Sequence, residues 1–227
     1  MKDVGSQRGW AFRLLWVGAN TIAWGTRTGV SWAVGTAVQW SYLTIARARG
    51  TGQTSADGYL YLVTLVVFGV LYGAIIGIAQ QLVLRRQREF RGIRWVFATL
   101  IGILLQLAIG SLAPLFGQYL GLSSDYARLA PIALTGTLGL VSLLALGTSQ
   151  WFVLRGFVRR SGWWIAATAI ALWVSNLVTG YGGTILETIL SDLVYGLAYG
   201  LVTEVALSAI LKKSRQLEAQ SHGAGDL

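Results

Sequence analysis

Residues Leu62–Leu84, LVTLVVFGVLYGAIIGIAQQLVL, contain no charged side chain. A helix crossing the hydrocarbon of a bilayer takes about 20 apolar residues, and this stretch supplies them without interruption. A helix on a soluble core carries a polar stripe every turn; here there is none. Three further stretches share the property: Trp95–Phe116, Ile132–Leu154 and Trp163–Leu186 are also free of charge.

Composition agrees with that reading. The chain has 227 residues, 54% hydrophobic and only 12% charged. A soluble domain carries about 25% charged residues, so this charge cannot dress a water-facing surface. Glycine is frequent (29 residues) and proline rare (2 residues), as in a tight bundle whose backbones approach closely in lipid. Ten Trp and nine Tyr can furnish aromatic belts at two interfaces. With no cysteine there is no thiolate metal site and no cysteine nucleophile. Lys2, Arg8 and Arg13 precede the first apolar run, but no short apolar core with a small-residue cleavage site follows them, so a retained first helix is expected rather than a signal peptide.

The expected fold is all-α: one integral membrane bundle of about six spans, near 11–36, 60–84, 95–117, 129–154, 163–181 and 185–211. The segments are 1–58 (first repeat helix and the segment after it), 59–124 (second and third spans), 125–213 (fourth to sixth spans) and 214–227, a disordered cytoplasmic tail. Residues 10–46 leave two alternatives open. Either one long tilted helix runs there, or a span is followed by an interfacial helix near Val38–Ala46; Thr26-Arg27-Thr28-Gly29 breaks the apolar pattern.

Loop charge sets the orientation. Arg85, Arg86, Arg88, Arg91 and Arg94 crowd one loop; Arg155, Arg159 and Arg160 crowd another; Lys212, Lys213 and Arg215 follow the last span. The intervening loops have no basic excess: Asp125 with Arg128, then Glu187 and Asp192. Positive charge stays inside, which places both termini in the cytoplasm of a cell (plasma or inner) membrane. The net charge of +9 is thereby a topology signal, and no nucleic-acid partner is implied.

An internal repeat runs through these spans. Gly77-Ile-Ala-Gln80-Gln-Leu-Val83-Leu84-Arg85 matches Gly147-Thr-Ser-Gln150-Trp-Phe-Val153-Leu154-Arg155 as G-x-x-Q-x-x-V-L-R. Trp95-Val-Phe-Ala98-Thr99 matches Trp164-Ile-Ala-Ala167-Thr168, with Trp16-Val-Gly-Ala19-Asn20 as a third copy. Tyr195-Gly196-Leu-Ala-Tyr-Gly200 matches Tyr72-Gly73-Ala-Ile-Ile-Gly77, with Thr203-Glu204 in the place of Gln80-Gln81. Three hairpins of like orientation imply parallel repeats about a pseudo-threefold axis. The repeated Trp residues, each near an Arg, are expected as interface anchors; the G-x-x-x-G pairs are expected as helix contacts.

The candidate site residues follow from the alignment. Eleven residues past each repeat Trp stand Arg27, Gln106 and Ser175, with Asn176 beside the last. Eleven residues of helix rise about 16 Å, and positions i, i+4 and i+11 share a face. The stripes Trp16/Asn20/Arg27, Trp95/Thr99/Gln106 and Trp164/Thr168/Ser175 would then line a polar interior. An intramembrane Arg needs a partner, and Glu204 is expected to pair with Arg27. Gln80 and Gln150, five residues before Arg85 and Arg155, are expected to hydrogen-bond across helices.

The absences bear on function too. The lone histidine, His222, sits in the tail, so histidine-held haem or metal inside the bundle is not expected. There is no P-loop and no serine with a histidine base. No catalytic residue, metal or cofactor is expected, and the chain is not expected to be an enzyme. In architecture alone three two-helix repeats are similar to the mitochondrial carriers, but their P-x-(D/E)-x-x-(K/R) signature is absent. Six spans with both ends inside resemble the substrate-binding subunits of energy-coupling-factor transporters, and no motif carries that further. Two roles remain. One is a non-catalytic accessory, assembly or scaffold component, packing against a membrane-protein partner or another copy through Gly-rich helices. The other is a transporter-like protein binding a small solute, ion or lipid at Arg27, Glu204, Gln106 and Asn176.

Overall fold

In a computed structural model, the chain is described over residues 4–49, 57–86, 92–119, 126–158, 161–178 and 184–223. The loop residues Arg88, Arg91, Asp125, Arg159 and Arg160 lie outside these. Among the described residues all regular structure is α-helical: α1 (Val4–Gly25), α2 (Arg27–Arg49), α3 (Asp57–Leu84), α4 (Arg94–Tyr119), α5 (Tyr126–Leu154), α6 (Trp163–Val178) and α7 (Ile185–Gly223). Three are long and apolar enough to cross a membrane, over Leu60–Leu84, Arg94–Ser111 and Ile185–Lys212; Leu138–Leu154 and Trp163–Val178 are shorter apolar helices.

The first apolar region resolves into two helices, cut at Thr26 and nowhere near Val38. The Thr26 N–H reaches back three residues to the Ala23 carbonyl (3.3 Å), and α2 resumes with Val30 N–H on the Thr26 carbonyl (2.9 Å). The Thr26 hydroxyl also donates to the Ala23 carbonyl (2.7 Å), a local bond that competes with the helical ladder. The opened N-terminus of α2 is satisfied from outside. Both the backbone N–H and the hydroxyl of Thr28 donate to the carboxylate of Asp192 on α7. A carboxylate there meets free N–H groups and the positive end of the helix dipole.

At its own start α7 carries a capping box. Thr184 N–H donates to the Glu187 carboxylate (2.9 Å) and Glu187 N–H donates to the Thr184 hydroxyl (3.2 Å). These reciprocal bonds satisfy donors that the first turn leaves free. At the other end α7 runs on to Gly223, so most of the expected tail is helical. Gln216-Leu-Glu-Ala-Gln are good helix formers, and nothing in the sequence breaks the helix after Lys213.

Helices α1, α3, α4, α5, α6 and α7 form a ring in which each packs on two neighbours, α7 closing onto α1; α2 lies against α3 and α7. Glycines set the closest approaches. A Cβ on Gly77 would stand 2.9 Å from the Val96 Cα, one on Gly147 3.0 Å from the Ile165 Cα, and one on Gly196 2.7 Å from the Asn20 carbonyl oxygen. These approaches join α3 with α4, α5 with α6 and α7 with α1, and Gly102, whose Cβ would stand 2.8 Å from the Leu146 Cα, brings α4 equally close to α5. Two apolar clusters fill the ring. One gathers Trp16, Trp95 and Trp164 with Leu84, Leu154 and Leu207; the other gathers Trp24, Tyr72, Ile76, Ile103, Leu146, Leu172, Tyr195 and Tyr199. The outward faces carry the aliphatic side chains, Leu62, Val66, Ile78, Leu82, Ile101, Leu105, Leu197 and Leu201 among them. Polar groups inside and aliphatic groups outside reverse the soluble pattern.

Candidate functional site

Three indoles meet at the centre of the ring. The Trp16, Trp95 and Trp164 rings contact one another edge to face, with centroids 6.4, 6.2 and 5.8 Å apart. All three are buried. The expectation that they anchor at an interface is therefore corrected: they project inward, because each sits on the helix face that also carries the close-packed residue one turn on.

A buried indole N–H must find an acceptor. Trp95 Nε1 donates to Gln80 Oε1 (2.9 Å) and Trp164 Nε1 to Gln150 Oε1 (3.0 Å). Trp16 Nε1 donates to the Thr203 hydroxyl (3.0 Å). In each pair the donor helix is the one packed through glycine against the acceptor helix. The two glutamines then reach further. Gln80 Nε2 donates to Asn20 Oδ1 (2.8 Å), and Gln150 Nε2 donates to Thr99 Oγ1 (3.0 Å) and to Gln80 Oε1 (3.1 Å). Asn20 Nδ2 returns to the Trp16 carbonyl (2.8 Å). One connected network thus ties α1, α3, α4, α5, α6 and, through Trp16 and Thr203, α7 at a single level, and Gln80, Gln150, Asn20 and Thr99 are all fully buried.

The ion pair differs from expectation. Glu204 pairs with Arg13 (Nε–Oε1, 3.3 Å) and accepts from the Ser208 hydroxyl. Arg27 is exposed, at the α1–α2 break, where the following residue, Thr28, is held by Asp192. The reason is level. Glu204 adjoins Thr203, which bonds Trp16, so Arg13 stands within one turn while Arg27 stands about 16 Å along the helix from it. The break at Thr26 also takes Arg27 off the Trp16/Asn20 stripe.

Other candidates scatter. Ser175 is buried and donates to the carbonyls of Ala171 (2.7 Å) and Tyr195 (3.1 Å). Asn176 is exposed and donates to the Leu172 carbonyl (2.8 Å). Gln106 is half-buried, its Oε1 enclosed without a hydrogen-bond donor among the described residues. Asp192, Arg13 and the aromatic group Trp24, Tyr72, Tyr195 and Tyr199 were not singled out by the sequence. Trp24 contacts the three tyrosines with centroids 5.6, 4.8 and 5.1 Å away. Tyr72 and Tyr195, eight residues before Gln80 and Thr203 on the same helix faces, were the available signal. Among the described residues no group of His, Cys, Asp and Glu could hold a metal ion.

The chain matches no known family model, no curated protein and no solved structure.

Proposed function

We propose that the chain is a six-span membrane protein, with both termini on the cytoplasmic side of a cell membrane, and that it works as a non-catalytic accessory, assembly or scaffold component. Its partner is another membrane protein or a second copy of itself. The observation that carries this is how the interior is used. Gln80, Gln150, Asn20 and Thr99 spend their hydrogen bonds on one another and on the three indoles. Such mutual satisfaction rigidifies a bundle, and three touching indoles occupy its centre. The outward faces remain for lipid and for a partner.

Within the same proposal the ring is three like hairpins about a pseudo-threefold axis, each entering with the Trp-bearing helix and returning with the Gly-rich one: α1 with α3, α4 with α5, and α6 with α7. The glycine approaches and indole bonds recur three times between the Gly-rich helix of one hairpin and the Trp-bearing helix of the next, with α7 meeting α1, which supports this repeat.

A transporter-like reading keeps one observation of its own. Trp24 Nε1 and Gln106 Oε1 are enclosed without partners among the described residues, on the side of the ring where Arg27, Asp192 and Asn176 stand. Native mass spectrometry of the protein gently extracted from its own membrane separates the two. A retained protein partner supports the scaffold role. A retained small molecule or lipid, lost on Arg27→Gln, moves the assignment to binding or transport.

A further inference from the structure

The end of the ring next to the central indoles carries a collar of positive charge. Arg85 and Arg86 follow α3, Arg94 begins α4, Arg155 follows α5 and Lys212 lies on α7, and all five side chains are exposed. Arg13 on α1 stands at the same end and is paired with Glu204. Glu204 is the one carboxylate there among the described side chains, so the other five cations have no acidic partner among the described residues. Exposed Trp10 and Trp163 stand at this end too. Exposed indoles at the ends of apolar helices mark a membrane–water interface.

One of these cations is held differently from the rest. The Arg155 guanidinium carbon lies 5.2 Å from the Trp151 ring centroid and 4.6 Å from that of Phe152. The two rings contact each other, with centroids 5.0 Å apart. A guanidinium resting on aromatic faces keeps its in-plane N–H donors free, and their fork matches a phosphate. At the like position of G-x-x-Q-x-x-V-L-R, Arg85 follows Gln81 and Leu82 where Arg155 follows Trp151 and Phe152, so its own segment offers no ring to hold it. Eleven and fourteen residues before Arg155, on the same side of α5, Leu144 and Val141 are exposed, as is Phe152. Fourteen residues of helix rise about 21 Å. That carries an apolar stripe from the guanidinium across one leaflet, half of the roughly 30 Å hydrocarbon core.

We propose that this corner of the ring is a binding site for an anionic phospholipid, its phosphate on Arg155 and an acyl chain along Phe152, Leu144 and Val141. The occupant must be negative at one end and apolar along about 20 Å, which describes such a lipid. A zwitterionic headgroup brings an ammonium that the collar repels, whereas an anionic headgroup keeps its full charge for Arg155 and its neighbours. The site rests on the membrane-spanning part of the reading above. It needs neither the scaffold role nor a particular leaflet.

The test is native mass spectrometry of the full chain in detergent, titrated with phosphatidylglycerol or with phosphatidylcholine of the same acyl chains. Phosphatidylglycerol is expected to bind more tightly. Arg155→Gln should weaken it about fivefold, and Arg85→Gln by less than about twofold; neither should change phosphatidylcholine binding. Arg155→Lys keeps the charge and loses the planar fork, so it should fall between the native chain and Arg155→Gln. Equal affinity for the two lipids overturns the proposal. So does an equal loss in Arg155→Gln and Arg85→Gln, which would mean diffuse surface charge. A phosphatidylglycerol adduct lost on Arg27→Gln and kept in Arg155→Gln also overturns it, as does an acidic protein that occupies the corner and is lost in Arg155→Gln. Flotation with phosphatidylcholine vesicles separates the failures. A chain that does not float overturns the membrane reading and the site together, whereas one that floats without preferring phosphatidylglycerol overturns the site alone.

Discussion

The level of the three central indoles and the level of the α1–α2 break are built on opposite terms. At the indole level Asn20, Gln80, Thr99 and Gln150 all have partners on another helix, and their hydrogen bonds form one connected set. About 12–16 Å along the bundle, aromatic packing does the work: Trp24 is enclosed by Tyr72, Tyr195 and Tyr199 while its own N–H is unpaired among the described residues. Charge there sits at the edge, in exposed Arg27 and in Asp192, which holds the start of α2. The difference teaches where specificity is stored. A connected set of side-chain bonds fixes which helices meet at the indole level; the other level is held by aromatic shape, the Asp192 carboxylate and isolated bonds from Ser175 to the Tyr195 carbonyl and from Tyr72 to the Trp24 carbonyl.

The comparison breaks most sharply at Gln80. Gln80→Leu strands Trp95 Nε1 and Asn20 Oδ1 in the interior, and two buried unmade bonds cost roughly 2–5 kcal/mol together. Thermal unfolding in detergent should show a loss larger than for any aliphatic substitution around Trp24. If Gln80→Leu unfolds like the native chain, the network does not hold the helices.

Next in size is helix contact. Gly196→Ala puts a Cβ 2.7 Å from the Asn20 carbonyl oxygen, and backbone cannot yield cheaply; overpacking of this kind costs about 1–3 kcal/mol. Gly110→Ala meets nothing within 4 Å and gains up to about 1 kcal/mol of helix propensity. Opposite signs for the two variants are expected in the same unfolding assay.

The second level is probed through Asp192. Asp192→Ala removes both bonds to Thr28, a loss of about 0.5–2 kcal/mol by analogy with helix caps. Hydrogen exchange should quicken at the first-turn amides of α2 and remain slow at Trp16 and Trp95. Uniform quickening at both levels would mean that they are not separate.

Smallest is the ion pair, whose arginine lies at the surface. Arg13 is 58% exposed and Glu204 10%, so a double-mutant cycle of Arg13→Gln with Glu204→Gln should give a coupling of about 0–1 kcal/mol. The same cycle with Arg27→Gln should give none. Coupling between Arg27 and Glu204 would restore the pairing read from the sequence and contradict the geometry.

The two levels were also unequally legible in the sequence. Gln80 and Gln150 were found because G-x-x-Q-x-x-V-L-R is a specific match, and a glutamine in an apolar run has little to do but bond across helices. Helix contact at Gly73, Gly77, Gly196 and Gly200 was legible for the same reason: missing side chains in lipid mean close backbones. The central tryptophans were misplaced because an indole next to an arginine is what both an interface anchor and an inward plug look like in one dimension. Arg27 was misplaced because a fixed 3.6-residue periodicity was carried through Thr26, where the helix breaks.

By itself the sequence determined that the chain is helical, that its helices are apolar enough for a membrane, and which polar residues recur at like positions. Those properties reside in composition and local periodicity, which lipid-crossing length and helix geometry turn directly into elements. Only the tertiary structure decided that α7 closes on α1, that the three indoles meet, that Glu204 takes Arg13, and that Asp192 receives α2. Each of these depends on the level of one helix against another. That level is set by where glycine lets two backbones touch and where a helix breaks, neither of which a single strand of sequence can measure.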